Sequence, residues 1–201
     1  KDIINSGTPI VMFDRVAETV NCDKVIVDDF ESSFEATQHL LKLASKNIAL
    51  VSTIDNLSVG KLRVGGFKKA MEASNLALNN QLIVIENDIE VFDTKLAGLF
   101  NAKKVDAVFA LDEHASTMAM KFALKKGIKI PEELNIIGFA DGVWSRRLTP
   151  SLSTVSQHAP EIGAKAAELL IHKLNSKDEF YQPQTVVIKT ELRQRESTRK
   201  L

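Results

Sequence analysis

Short apolar runs rich in β-branched residues alternate with amphipathic helical segments along almost the whole chain, and this alternation restricts the possible folds more than any other feature. Most of the runs are continuously apolar, as strands covered on both faces must be. Strands that alternate with helices form right-handed βαβ units around a parallel sheet. The predicted strands are 10–13, 25–27, 48–52, 82–86, 107–111 and 136–139, and the predicted helices are 33–45, 61–74, 94–102, 115–126 and one that opens at Pro160.

The last part of the chain has a different pattern. Around residues 185–193, Val186, Ile188 and Leu192 alternate with charged residues, which predicts a single half-exposed edge strand. The final residues, LRQRESTRKL at 192–201, are locally basic, and we expect them to form a solvated tail.

The composition excludes several classes of protein. Lys and Arg number 26 and Asp and Glu number 26, so the formal net charge is 0, which argues against this chain by itself binding a long stretch of nucleic acid. A single cysteine, Cys22, excludes an intramolecular disulfide framework and a Cys-based zinc site. No apolar run approaches the roughly 18 residues of a membrane span. The chain starts with neither Met nor a signal peptide, and we expect it to begin inside a longer protein.

Acidic residues stand just past the ends of five predicted strands. In open α/β sheets, ligands bind beyond the carboxyl ends of the strands, and converging carboxylates suit a ligand rich in hydroxyl or amino groups. The alternative is that each Asp caps the helix that follows its strand. We expect two or three of the five to serve a ligand; they are Asp14, Asp28, Asp88, Asp112 and Asp141.

Motifs of enzymes are missing from the sequence, and no catalytic residue, cofactor or metal is predicted. There is no GxSxG elbow, no HExxH helix and no phosphate-binding glycine loop, and nothing pairs a nucleophile with a base. Asp112, Glu113 and His114 are adjacent at a helix start and point in different directions, which disfavours a metal site. We expect Glu113 and His114 on a solvated rim. Arg63, early in a helix after a strand, either reaches the crevice or extends from the surface.

Six segments stand in a fixed order along the chain. They are PIVMFDRV at 9–16, VIVDDFESSFEATQHLLKLASKNIALVS at 25–52, RVGGFKKAMEAS at 63–74, VDAVFALDEHASTMAMKFALKKGIKIPEELNIIGFAD at 105–141, LTPSLSTVSQHAPEIGAKAAELLIHKL at 148–174 and ELRQREST at 191–198. The series resembles the effector-binding core of LacI/GalR-family transcription regulators. The resemblance covers nearly the whole chain.

The resemblance implies an α/β fold of doubly wound parallel sheets in two subdomains, of the periplasmic-binding-protein-like type I, with the first subdomain incomplete. Residues 1–27 and 157–182 would belong to the N-terminal effector subdomain. Residues 28–156 and 183–201 would form the C-terminal effector subdomain, including the final edge strand. The helix-turn-helix domain of the family has no counterpart in the sequence, so the chain is expected to be N-terminally truncated.

The resemblance also implies a set of ligand-binding residues. Asp14 in FDR and Arg63 before VGGF match effector-contacting positions of the family. Leu111 stands where many members have an Asn, so the nearest polar residue is Asp112, which we also expect to cap its helix. Ala140 replaces the usual Asp, and Asp141 follows it. The predicted ligand-binding residues are Asp14, Arg63, Asp112 and Asp141, with Ile89 at the position of a stacking aromatic and Trp144 either as a replacement stacking face or in a subunit contact.

The function implied is that of the effector-binding and dimerisation core of a cytoplasmic transcriptional regulator that senses a small polar metabolite, a sugar or a related compound. Its partners would be the effector, operator DNA through a helix-turn-helix domain absent from this chain, and a second copy in a homodimer, with no membrane. Met118 and Phe122 would lie either in the dimer contact or in the core. The alternative function is a solute-binding protein of a sugar transport system on the same fold.

Overall fold

The computed structural model of the protein describes residues 7–54, 56–102, 104–176 and 181–201. Strands and helices alternate through these residues. The strands are β1 Val11–Phe13, β2 Asp23–Val27, β3 Ile48–Ser52, β4 Ile83–Ile85, β5 Ala107–Ala110, β6 Asn135–Phe139, β7 Ser153–Ser156, β8 Thr185–Ile188 and β9 Glu191–Arg193. The helices are α1 Asp29–Lys42, α2 Ser58–Ala73, α3 Ile89–Ala102, α4 Glu113–Lys125, α5 Trp144–Arg147 and α6 Ala159–Asn175, with a short 3-10 helix at Asn80–Leu82.

The strands form two sheets. The larger sheet has the order β4-β3-β5-β6-β7-β9, and its neighbouring strands are parallel except for β7 with β9. The smaller sheet has the order β1-β2-β8, with both pairs parallel. The predicted α/β class with parallel sheets is therefore confirmed. Residues 1–6, 55, 103 and 177–180 of the two predicted subdomains lie outside the described residues.

Helices cover both faces of the larger sheet, which explains why its central strands are continuously apolar. Strands β3, β5 and β6 are buried throughout. On one face they pack against α3 and α4 in a cluster that includes Phe92 and Met118, with Phe122 packed against it. On the other face they pack against α1 and α2, through Leu40 and Phe67. Met118 and Phe122 thus contribute to the core, one of the two alternatives that the sequence left open.

The smaller sheet is covered on one face by α6. Ile162 and Leu169 of this helix are buried against Val25, Val27 and Ile188 of the sheet. Pro160 stands at the first turn of α6, where a residue without a backbone N–H leaves no hydrogen bond unmade.

Helices α1 and α2 approach each other closely at Gly66. A Cβ atom there would overlap the Phe30 carbonyl oxygen and lie 2.8 Å from the Ser33 Cβ and 2.9 Å from the Phe34 nitrogen. The hydroxyl of Ser33 donates to the carbonyl of Arg63 at 2.5 Å, across the same crossing. The missing side chain of Gly66 therefore sets the distance between α1, which follows β2, and α2, which follows β3.

Strand β7, Ser153–Ser156, was not predicted, because its sequence STVS lacks an apolar run. It is nevertheless buried throughout. Its polar groups are satisfied by the end of the chain, since the hydroxyls of Ser153 and Thr198 are 2.8 Å apart and the Ser153 N–H donates to the Ser197 hydroxyl at 2.8 Å. Ser197 and Thr198 are themselves buried. The prediction of a solvated tail at 192–201 is therefore wrong for this part of it.

The final run was predicted as one edge strand, and it forms two strands in different sheets. Strand β8 pairs in parallel with β2 in the smaller sheet, whereas β9 pairs antiparallel with β7 in the larger one. The smaller sheet thus includes residues 185–188, beyond residue 182, where the sequence prediction ended the first subdomain. Alternating polarity identified the strands but not the change of sheet between them.

The chain passes between the two sheets at three places, near residues 28, 157 and 190. Two of these crossovers contact each other directly. Asp28 accepts a hydrogen bond from the Thr190 N–H at 2.9 Å and lies 3.1 Å from the Lys189 ammonium. At the third crossover, His158 has a left-handed φ of 54°, and its ring Nε2 lies 3.9 Å from Glu191.

Candidate functional site

A cavity of about 320 Å³ lies between the two sheets, at the carboxyl ends of their strands. Its walls come from residues that follow β1, β3, β5, β6 and β7 and from the first turns of α2, α4 and α6. Four of the six residues that the sequence nominated line it: Asp14, Arg63, Asp112 and Asp141. Their part in ligand binding stays a prediction.

Arg63 forms the base of one wall, and only 3% of its surface is exposed. Its Nε donates to Asp29 at 2.7 Å, and its Nη1 donates to the Leu111 carbonyl at 2.7 Å. Its guanidinium carbon lies 3.9 Å from the centre of the Phe139 ring. Nη2 makes no hydrogen bond within the described part of the chain, so a planar donor group is held rigidly with one nitrogen unused.

The partner of Arg63, Asp29, was not identified from the sequence. It is buried at the start of α1 and lies behind the cavity wall. Burial raises the pKa of Asp29, and the adjacent Arg63 charge and hydrogen bond act in the opposite direction. The acidic pair Asp28 and Asp29 was a visible signal in the sequence, but sequence spacing does not show which of the two faces α2.

Asp112 caps α4, as the sequence predicted. Its Oδ1 accepts from the Ala115 N–H at 2.9 Å, and its Oδ2 accepts from the Thr53 N–H at 2.7 Å. The second bond connects the end of β5 to the loop after β3. Both carboxylate oxygens are therefore already in use by backbone donors, although the residue lines the cavity.

Asp141 holds the crossover from β7 to α6. Its Oδ2 accepts from the N–H groups of Gln157 and Ala159 at 3.0 and 3.1 Å, and its Oδ1 accepts from the Ser156 hydroxyl. A carboxylate at a helix N-terminus is also favoured by the helix dipole. Asp141 thus connects the larger sheet to the helix that covers the smaller one.

Asp14 occupies the opposite wall, directly after β1. Its φ is 57°, a left-handed conformation that Asp and Asn adopt more readily than most residues. Its N–H donates to the Val25 carbonyl at 3.0 Å, and its Oδ1 accepts from Gln157 Nε2 at 3.3 Å. Its Oδ2 is 3.9 Å from the Arg15 Nε, a loose contact at the cavity mouth. Gln157 was another residue missed from the sequence.

The side chains of Glu113 and His114 lie in different environments. Glu113 is exposed, as expected of a rim residue, and it also lines the cavity. His114 points elsewhere, with Nε2 3.2 Å from Asp93 and its ring edge-on to Phe92.

Ile89 and Trp144 lie outside the cavity lining. Ile89 begins α3 with 53% of its surface exposed, and Trp144 begins α5 with 64% exposed. Neither side chain stacks on the space that Arg63 and Asp14 enclose. The aromatic surfaces at the cavity are instead Phe139, beneath Arg63, and Phe13, which is 56% exposed at the end of β1.

Metal binding finds no support in the described residues, where no group of three or more His, Cys, Asp or Glu side chains could hold an ion. None of the helices in the described ranges is both long and apolar enough to cross a lipid bilayer. The chemistry available at the cavity is that of hydrogen bonding and charge, from fixed carboxylates, a fixed guanidinium and aromatic faces.

Residues 37–198 match the family of periplasmic binding protein-like domains. The HTH-type transcriptional repressor PurR of Actinobacillus pleuropneumoniae is 30% identical over 199 residues, which are 98% of this chain and 59% of that protein. The HTH-type transcriptional regulator DegA of Bacillus subtilis is 30% identical over 166 residues, which are 82% of this chain and 49% of that protein. The chain thus spans about half of the length of these curated relatives.

Solved structures share the fold. A LacI family transcriptional regulator from Enterococcus faecium with bound ribose matches with a TM-score of 0.88 and 23% sequence identity, over 99% of this chain and 74% of that one. At this identity the likeness demonstrates the fold and leaves the ligand open.

Proposed function

Because this chain belongs to the LacI/GalR family and forms its periplasmic binding protein-like domain, we propose that it binds the effector of a DNA-binding transcriptional regulator. The effector is a small polar metabolite of the sugar class. The observation that carries the proposal is the cavity between the two sheets, where buried Arg63 keeps one nitrogen free for a ligand hydroxyl or carbonyl. Sugar hydroxyls can accept from Arg63 and donate to the carboxylates of the wall, and this chemistry supports the choice of a sugar.

The proposed mechanism uses the placement of the cavity between the sheets. A ligand that contacts Asp14 on one side and Arg63 on the other favours the arrangement in which both are within reach. The three crossovers let the sheets change their relative angle without breaking either core. Such a coupling between effector and DNA is typically about 1–3 kcal/mol.

The proposed partners follow from the same function. Operator DNA would be bound by a helix-turn-helix domain outside this chain, in agreement with the formal net charge of 0. A second copy of the chain would form a homodimer, which light scattering after size-exclusion chromatography tests. A regulator of this kind acts on DNA in the cytoplasm.

A solute-binding protein of a sugar transport system is the alternative. The similarity to a repressor and a regulator of the HTH type favours the regulator. Reading the gene upstream of Lys1 and measuring the intact mass of the expressed protein separate the two. A helix-turn-helix sequence there supports the regulator, and a signal peptide supports the transport protein. Enzyme activity is not part of the proposal.

Calorimetry on an Arg63→Ala variant tests the ligand site. Sugars that bind the wild type are first selected by thermal shift, and the variant should then lose about 2–5 kcal/mol of binding free energy, the cost of removing a buried charged partner. Arg147→Ala, at an exposed position outside the cavity, is the matched control and should bind normally.

Since Arg63→Ala also leaves Asp29 unpaired, circular dichroism must show that the variant is folded at the assay temperature. Arg63→Lys keeps the charge but loses the planar donor geometry, and it should weaken binding as well. Unchanged affinity in a folded Arg63→Ala protein would reject this cavity as the effector site.

A further inference from the structure

The cavity wall has an excess of negative charge. Four carboxylates line it, from Asp14, Asp112, Glu113 and Asp141, against two guanidinium groups, from Arg15 and Arg63. One of these positive charges is balanced before any ligand arrives, because Asp29 pairs with Arg63 at 2.7 Å from behind the wall. The guanidinium of Arg63 therefore offers a hydrogen-bond donor to the cavity without a net positive charge.

Two of the four carboxylates are already held by hydrogen bonds from the protein on both of their oxygens. Asp112 accepts one N–H group on each oxygen, whereas Asp141 accepts two N–H groups on Oδ2 and the Ser156 hydroxyl on Oδ1. These two residues contribute negative potential to the wall, and their positions are fixed by the protein. The cavity-lining carboxylate oxygens that accept no hydrogen bond within the described residues are on the other two carboxylates, those of Glu113 and Asp14.

Glu113 is the more open of these two. Its carboxylate makes no hydrogen bond and no ion pair within the described part of the chain. It lies against the backbone of Gly142, where a side chain on that residue would overlap its Oε1. The absence of a Cβ at Gly142 is thus what gives the Glu113 carboxylate its place in the cavity wall.

Asp14 Oδ2 is the second free acceptor, since its nearest cation is the largely exposed Arg15 at 3.9 Å. Beside it, Phe13 exposes more than half of its surface at the cavity mouth. An aromatic face next to carboxylates suits the ring of a sugar and attracts a cation.

We infer that the cavity prefers a polyhydroxylated ligand that carries a protonated amine, and that Glu113 binds this amine. The inference deepens the proposed function and depends on it. An uncharged sugar binds through its hydroxyls to Arg63 Nη2 and Asp14, whereas a phosphorylated sugar meets uncompensated carboxylates. The order of affinity is therefore cationic, neutral and then anionic. Like charges brought together in a partly desolvated site oppose binding of the anionic forms.

A charge series on a constant ring tests this order. Glucose, glucosamine and phosphorylated glucose, with matching pentose and galactose series, are titrated into the protein by calorimetry at low and high salt. In any series whose neutral sugar binds, the amino sugar should bind about 10-fold more tightly than the neutral sugar, because it adds a charge-assisted hydrogen bond. The difference should decrease as salt rises.

The Glu113→Gln variant tests the residue. It keeps the shape and removes the charge, so affinity for the amino sugar should fall about 10-fold while affinity for the neutral sugar stays within about 3-fold. Glu90→Gln is the matched control, because Glu90 is also an exposed acidic residue in the first turn of a helix but lies outside the cavity. It should leave both affinities unchanged.

The outcomes separate the inference from the proposed function. The inference is overturned if phosphorylated sugars bind as tightly as neutral ones, or if Glu113→Gln still prefers the amino sugar. Neither result contradicts the proposal that the cavity is the effector site. Binding of no sugar from any series overturns the proposed function together with the inference.

Discussion

The guanidinium of Arg63 is held by a carboxylate, a carbonyl oxygen and an aromatic ring, and these contacts differ in what their loss would cost. The ion pair with Asp29 is buried on both sides. Removing one member of such a pair leaves an unpaired charge in the interior, which costs far more than the pair contributes by itself. The pair therefore makes each of its members indispensable while the other is present.

An Asp29→Ala variant should lower the free energy of unfolding by about 3–5 kcal/mol, because Arg63 is left buried without a counter-ion. Urea denaturation followed by circular dichroism measures the change. The double variant Asp29→Leu with Arg63→Met should lose much less, since neither charge remains. A loss in the double variant equal to the sum of the losses in Asp29→Leu alone and Arg63→Met alone would show that the two residues are not coupled.

At this scale the sequence identified Arg63 and Asp14 through their positions in motifs, and Asp112 through the helix it precedes. It could not identify Asp29 or Gln157, because their partners are 34 and 143 residues away along the chain. Ile89 was nominated by resemblance, and Trp144 was nominated as the only Trp, either as a stacking face or in a subunit contact. Both side chains are exposed and lie outside the cavity lining, which leaves the subunit contact of Trp144 as a prediction.

At the scale of elements, the crossing of α1 and α2 determines where Arg63 and Asp29 meet. The crossing depends on Gly66, which leaves no room for a side chain. In the sequence, the glycines of VGGF do not have the spacing of a phosphate-binding loop. Their role in helix packing could not be deduced, because close approach depends on which faces of two helices meet.

A Gly66→Ala variant should be destabilised by about 1–3 kcal/mol, because the added methyl overlaps the backbone of α1. Thermal unfolding measures it. Gly98→Ala in α3 is the control: a Cβ there meets no atom within 4 Å. That variant should gain about 0.5–1 kcal/mol, the usual advantage of Ala over Gly inside a helix. Unchanged or raised stability in Gly66→Ala would contradict the close packing of α1 and α2 at this glycine.

Strand prediction was most accurate where both faces are covered by helices, as in β3, β5 and β6. It failed at β7, whose buried hydroxyl groups depend on partners at the other end of the chain. Hydrophobic periodicity cannot show such a strand, since its burial is stabilised by hydrogen bonds rather than apolar side chains.

For the molecule as a whole, the three crossovers are the parts on which any change in the angle between the sheets depends. Asp28 joins two of them. Burial by itself raises the pKa of Asp28, but the hydrogen bonds from Thr190 and Lys189 outweigh burial and lower it below the ordinary 3.8. A lowered pKa means that the ionised form stabilises the folded state above 3.8 and that this contribution is lost as the pH falls through the folded-state value.

The free energy of unfolding of the wild type should therefore fall more steeply below pH 3.8 than that of Asp28→Asn, which has no carboxylate to titrate. At neutral pH the variant should be less stable by about 1 kcal/mol. Urea denaturation across this pH range measures both. Lys189→Ala should have little effect, because its ammonium is largely exposed. If the free energy of unfolding changed with pH in the same way in the wild type and in Asp28→Asn, the lowered pKa of Asp28 would be contradicted.

The left-handed backbone at Asp14 limits how this position can change over evolutionary time. Most side chains would strain the turn, so drift is confined mainly to Asp, Asn and Gly, whatever the ligand requires. An Asp or Asn shared by distant descendants would then record the shape of the turn after β1. When the effector changes, we expect the substitution at Glu113 instead, because its ordinary helical backbone accepts almost any side chain.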